Sequence, residues 1–300
     1  MRQARHGIAL LITIMFVIVI SVAIGFGLKQ VNKASSIVKN ENFMYQSRII
    51  VEDILKILKT SPDIKSLADT NSSEILFLFL SQSSFIPFES SGLEIIIHLS
   101  SAREKLNPLA LKNSQERQDS IKQYFNNYNI NSQYVDLLLD NMSGIKEDNS
   151  YSSMIFDENP YLFRDYITSA EHLELINDFY LKEYNDNSLS KIDFNNLFYY
   201  STDENMSIDV NYATTEVWEM LLLTSKARAE FLSNGRGAYT DLASLNLDED
   251  EKTQLALFPI SYFEPVLFVR LEIKKEQSTA EISFEYNIRT KQESNFLIQP

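Results

Sequence analysis

The chain carries few residues suited to chemistry. Its three histidines, His6, His98 and His172, are scattered along 300 residues, too far apart to read as a metal triad or a catalytic relay. All three read as surface residues, His98 on the wet face of a strand and His172 in the first turn of a helix. Cysteine is absent, so there is no thiolate metal site and no disulfide framework. Neither a G-x-x-x-x-G-K-[ST] phosphate loop nor a G-x-G-x-x-G turn occurs. Gly235-Arg236-Gly237 reads as a helix stop. No spacing singles out a carboxylate pair for acid–base work, so an enzyme is not expected.

Calcium is the one cofactor that the residue types suggest. Asp140-Asn141-Met142-Ser143-Gly144, running on to Asp148-Asn149, offers hard oxygen ligands, with Asp140 and Asp148 as the candidates. The stretch lacks the D-x-[DN]-x-[DN]-G spacing and its late glutamate, and reads more simply as a solvated acidic loop. Leu247-Asp248-Glu249-Asp250-Glu251 reads as a helix start, where acids oppose the positive end of the dipole. With 41 acidic and 27 basic residues the formal charge is −14. A body so acidic repels nucleic acid and anionic lipid.

The elements that position these residues follow from hydropathy. Residues 8–28 form an uncharged apolar run, long enough to span a bilayer as a helix. Arg2 and Arg5 precede it and no acid occurs before Glu41, which favours a cytoplasmic N-terminus. Apolar residues then continue at helical spacing to Leu58, and Ser61-Pro62 is a stop signal. A helix over 8–60 would be about 80 Å long. Alternation predicts strands over 93–100, 267–274 and 280–289, the last two joined as a hairpin through 275–279. ILFLFL at 75–80 reads as a further strand. Between strands the spacing turns helical: 114–129, 132–142, 169–180, 214–223 and 225–233. The expected class is α+β, a long N-terminal helix on a small antiparallel sheet, with a large helical insertion between strands.

Basic residues, Gly7, and an apolar helix that becomes amphipathic resemble the class III leader of type IV pilins and pseudopilins. The resemblance implies cleavage by the prepilin peptidase between Gly7 and Ile8. Most pilins carry glutamate at the fifth mature position, where this chain has Ile12. A carboxylate within a bilayer needs a partner, and a subunit at the filament tip has none above it. Ile12 therefore marks a tip subunit and narrows the resemblance to the K-class minor pseudopilin of type II secretion systems (general secretion pathway protein K). REKLNPLAL (103–111), VDLLLD (135–140), SAEHLELI (169–176), IDVNYATTEVWEML (208–221) and AYTDLASL (238–245) resemble that class's motifs, in order. The class's Trp-x-Asp-x-Asp run is replaced by Asn141-Met142-Ser143, so its calcium sites do not carry over.

The resemblance implies a leader over 1–7, an N-terminal helix over 8–60, and a pilin-like α/β domain split between 61–103 and 259–300. The helical insertion would occupy 104–258. It implies a single-pass inner-membrane protein with a periplasmic body. Expected partners are other minor pseudopilins at the tip, the major pseudopilin, the prepilin peptidase, and the secretin or an exported substrate. A minor pilin with a similar tip duty is the companion reading. Residues 208–245 also resemble a helix-hairpin-helix module of DNA-uptake proteins. Its hairpin reads Leu222-Leu223-Thr224-Ser225, without the Gly-x-Gly that admits a phosphate. Without residues 1–7 the charge is −16. Protein contact, not nucleic acid, is expected of the module.

Overall fold

The computed structural model describes residues 41–70, 72–90, 92–276 and 278–299. The expected leader, the Gly7–Ile8 cleavage pair, Ile12 and the apolar run over 8–28 lie outside them. Among the described residues no helix is long and apolar enough to cross a membrane.

Residues 41–60 are helical (α1). One stripe of α1, Phe43, Ser47, Ile50, Ile54 and Leu58, recurs every three or four residues and is buried. Each large apolar side chain of that stripe stabilises the fold by roughly 1.5–3 kcal/mol. The helix ends before Ser61, and Pro62 opens α2 (Pro62–Thr70), a first-turn position where its missing N–H costs nothing.

The predicted strand over 75–80 is instead the middle of α3 (Ser73–Ser83). The Ser72 hydroxyl accepts from the Ile75 N–H at 3.3 Å, and Leu76 and Leu80 bury one helical stripe. A six-residue apolar run carries no periodicity of its own, so the cap and the packing decide.

The sheet comprises β1 (Phe85–Ser90), β2 (Leu93–Ser101), β5 (Val266–Lys275), β6 (Ser278–Asn287) and β7 (Gln292–Gln299), in the order β1-β2-β5-β6-β7. All pairings within it are antiparallel. β2 and β5 are neighbours although some 160 residues separate them. The predicted strands lie within β2, β5 and β6 apart from the last two residues of the third; β1 and β7 were not predicted.

The intervening chain carries α4 (Gln115–Asn127), α5 (Gln133–Asp140), α6 (Ile155–Glu158), α7 (Ala170–Tyr184), α8 (Phe194–Leu197), α9 (Thr215–Leu222), α10 (Lys226–Asn234) and α11 (Glu249–Leu255). A short parallel pair, β3 (Ile208–Asp209) and β4 (Ile260–Ser261), closes it. Ser114, Ser169, Thr214 and Ser225 each cap the following helix by accepting from its third N–H. Asp248 and Glu251 form a reciprocal capping box on α11.

Two hydrophobic cores result. One lies between α1, α2, α3 and the sheet; the other, inside the insertion, is centred on Trp218, Tyr124, Phe125 and Tyr134.

Candidate interaction surface

Two of the sequence motifs meet where the sheet joins the insertion. The Arg103 carbonyl accepts from the Asp209 N–H at 2.8 Å, and the Glu104 carbonyl accepts from Thr214 at 3.2 Å. Leu106 exchanges backbone hydrogen bonds with Leu197 and Tyr199. Asn107, buried, donates to the carbonyls of Ser201 and Asp203 at 3.0 and 2.8 Å. Asn211 donates to the Tyr239 and Tyr262 carbonyls and accepts from the Tyr239 N–H. Asp209, also buried, accepts from the Asn211 and Glu264 N–H groups at 3.0 and 2.8 Å. Burial dominates those bonds and pushes its carboxyl up to about 6. These motif residues staple backbone to backbone.

The other side of the sheet is open. β7 is an edge: among the described residues nothing pairs with its outer side, and all eight of its residues are exposed. Its outer backbone groups and apolar Phe296-Leu297-Ile298 leave it open to further pairing. Between β7 and α1 lies a groove of about 690 Å³, floored by Met44, Val51, Leu55, Ile282, Phe296 and Ile298. Arg48 and Glu52, an i,i+4 pair at 3.8 Å, stand beside it. Tyr45 and Ile57 leave further apolar surface exposed on α1. An apolar trough with few polar groups suits protein contact and offers nothing for bond-making chemistry.

In β7 the register slips: Ser283 pairs with Leu297 but Glu285 with Ser294, so β7 holds one extra residue. That residue is Asn295, in the left-handed region at φ +52°, which asparagine tolerates better than most side chains. The bulge puts Glu293, Phe296 and Ile298 on the α1 side. There Glu293 meets Lys59 at 3.0 Å, and Phe296 stacks on Phe284 at 4.9 Å.

No protein-family model and no curated protein matches the chain. Among solved structures, it is similar to a chain of the GspK-GspI-GspJ complex from the type 2 secretion system of enterotoxigenic Escherichia coli. The TM-score is 0.59 at 14% identity, over 87% of this chain and 99% of that one. The fold is pilin-like. In it, α1 is the helix that packs on the sheet, and α4 to α11 are an insertion between adjacent strands.

The pilin-like fold also places the residues singled out in the sequence. Asp140 is buried, and its carboxylate accepts from Ser152 N–H at 3.1 Å, Ser153 N–H at 2.7 Å and Ser153 Oγ at 2.8 Å. Lys146 Nζ lies 3.9 Å away. Hydrogen-bond donors and an ammonium group thus satisfy the Asp140 carboxylate. Asp148 is exposed, and hydrogen bonds from the Ser150 side chain and then its N–H hold its carboxyl below the usual range. Among the described residues no three His, Cys, Asp or Glu side chains gather as metal ligands. The following loop is held by Arg164, whose guanidinium sits 4.0 Å from the Phe156 ring centre and donates to Tyr151.

His98 is half-buried, 3.2 Å from Glu272. His172, expected at the surface, is buried: it shares one α7 stripe with Ile176 and Tyr180, and burial lowers its pKa. In the α9–α10 module Leu223 takes φ +50°, so an isobutyl group stands where glycine would admit a phosphate. The groove itself was not foreseen. The sequence signal for its β7 wall, apolar residues at 296–298 near the end of the chain, was there to be read.

Proposed function

We propose that this chain is a K-class minor pseudopilin at the tip of a type II secretion pseudopilus. It would help start the filament and contribute to export of folded proteins, with no reaction of its own. The observation that carries this reading is a pilin-like fold, insertion included, matched over nearly the full length of a chain from a GspK-GspI-GspJ complex. The ordered motifs over 103–245 and the Gly7-Ile8 junction support it. The apolar run over 8–28 would anchor the chain in the inner membrane, with the body in the periplasm, until assembly. The α1–β7 groove would receive the other minor pseudopilins.

Intact-mass measurement of the membrane-extracted protein tests the reading, together with export of a reporter by cells lacking the chain. The expected results are a mature chain starting at Ile8 and loss of export. Either a different start or undiminished export would refute it.

A further inference from the structure

Glu285 lies on the sheet face opposite α1, buried, with a side chain 4% exposed. Its Oε2 pairs with Arg103 Nη2 at 3.0 Å, and its Oε1 accepts from the Tyr199 hydroxyl at 2.8 Å. The same Oε1 accepts from Asn295 Nδ2, which also donates to Ser201 Oγ at 3.2 Å. Tyr199 is fixed by its backbone bond to Leu106 and an edge-on contact with Phe268 at 5.9 Å. Three groups from different parts of the chain thus converge on one buried carboxylate, and Ser201 joins through Asn295. Arg103 ends the sheet's first half, Tyr199 and Ser201 belong to the insertion, and Asn295 is the bulge residue of β7.

Beyond its backbone ladder with β6, β7 has few other ties among the described residues. On the α1 side it has Glu293–Lys59 and Phe296–Phe284; on the insertion side, beyond Asn295, it has Gln299 donating to Glu171 at 3.4 Å. An edge strand with every residue exposed has little burial to hold it, so polar contacts decide its local stability. A buried carboxylate is also costly once a partner is removed.

We propose that Glu285 is the hub of a latch by which the helical insertion sets the position of β7, and with it the shape of the α1–β7 groove. Loosening the insertion side frees the groove's outer wall. Coupling between two such sites is reciprocal, so disturbing the groove wall loosens the insertion segment in turn. The latch would operate whether or not the chain serves in secretion.

Hydrogen–deuterium exchange on the full chain, read peptide by peptide, tests it. In Tyr199→Phe, which keeps the ring on Phe268, exchange over 292–299 is expected to quicken about tenfold. Exchange in β2 and β5 should stay unchanged. Glu285→Gln should act more strongly; if it yields no folded protein, Tyr199→Phe decides alone. In Phe296→Ala the reciprocal effect is expected, faster exchange over 198–203. Exchange of β7 within twofold of wild type in Tyr199→Phe would overturn the latch. So would equal acceleration across the whole sheet, or an unchanged 198–203 segment in Phe296→Ala.

Discussion

The insertion and the sheet's β7 edge differ in how completely they close. Inside the insertion, Trp218, Ile121, Val135, Leu138 and Ile176 are fully buried, and α4, α7, α9, α10 and α11 begin on Ser, Thr or Asp caps that satisfy the third N–H of each. Along β7, Phe296, Leu297 and Ile298 are about half exposed, and a groove runs beside them. One region has used its apolar surface on itself; the other has kept some free. The stability of the lone subunit should therefore reside in the insertion and in the α1 core, and its capacity to associate in the edge.

The largest expected effect is at Trp218. Trp218→Ala should destabilise the insertion by about 3–5 kcal/mol, because a void opens among residues that cannot collapse into it. Denaturant unfolding followed by far-ultraviolet circular dichroism measures this; a loss below about 1 kcal/mol would mean the insertion is not the stable half.

Asp209 sharpens the contrast through pH. Its folded pKa, about 6, lies above the ordinary aspartate value of 3.8. Between those pH values the unfolded chain gives up its proton while the folded one keeps it, so folding loses stability as pH rises. Relative to Asp209→Asn, the wild type should lose about 2 kcal/mol between pH 4 and pH 6, with a further loss of about 0.4 kcal/mol that levels off above about pH 7. Paired thermal melts across that range measure the difference, and a pH-independent gap would sink the idea.

The smallest effect on stability belongs to the edge. Tyr45→Ser with Ile298→Ser should change unfolding free energy by less than about 0.5 kcal/mol per site. Co-purification with the minor pseudopilins proposed as partners should nevertheless fall sharply. Unimpaired co-purification would move the partner surface elsewhere.

What could be read in advance follows the same division. β2, β5 and β6 announce themselves by alternation, because one side of each faces the α1 core. The capped helices announce themselves by a Ser or Thr just before an apolar stripe. α3 was misread since six unbroken apolar residues display neither the helical nor the strand period. His172 was misplaced for want of following its stripe: positions 172, 176 and 180 face inward together. Asp140 was singled out as a calcium ligand, but whether donors or acceptors gather round a carboxylate is set by the 152–153 segment, which the spacing does not reveal. The apolar residues at 296–298 were legible, but the groove they wall was not, because it joins residues 44–55 to 282–298, segments brought together only by the completed sheet.

Asn295 carries a consequence for how such chains can change in length. The α1-facing positions of β7 fall at 293, 296 and 298, a step of three and then of two, so a scan for strict alternation passes over the strand. Deleting Asn295 would restore even spacing and leave Phe296 and Ile298 on the side they now occupy. The shortened strand would look better formed to an engineer regularising the sheet. It would also have lost the side chain that reaches Ser201 and Glu285, and tidying of that kind would leave the edge tied to the insertion through Gln299 and Glu171 alone.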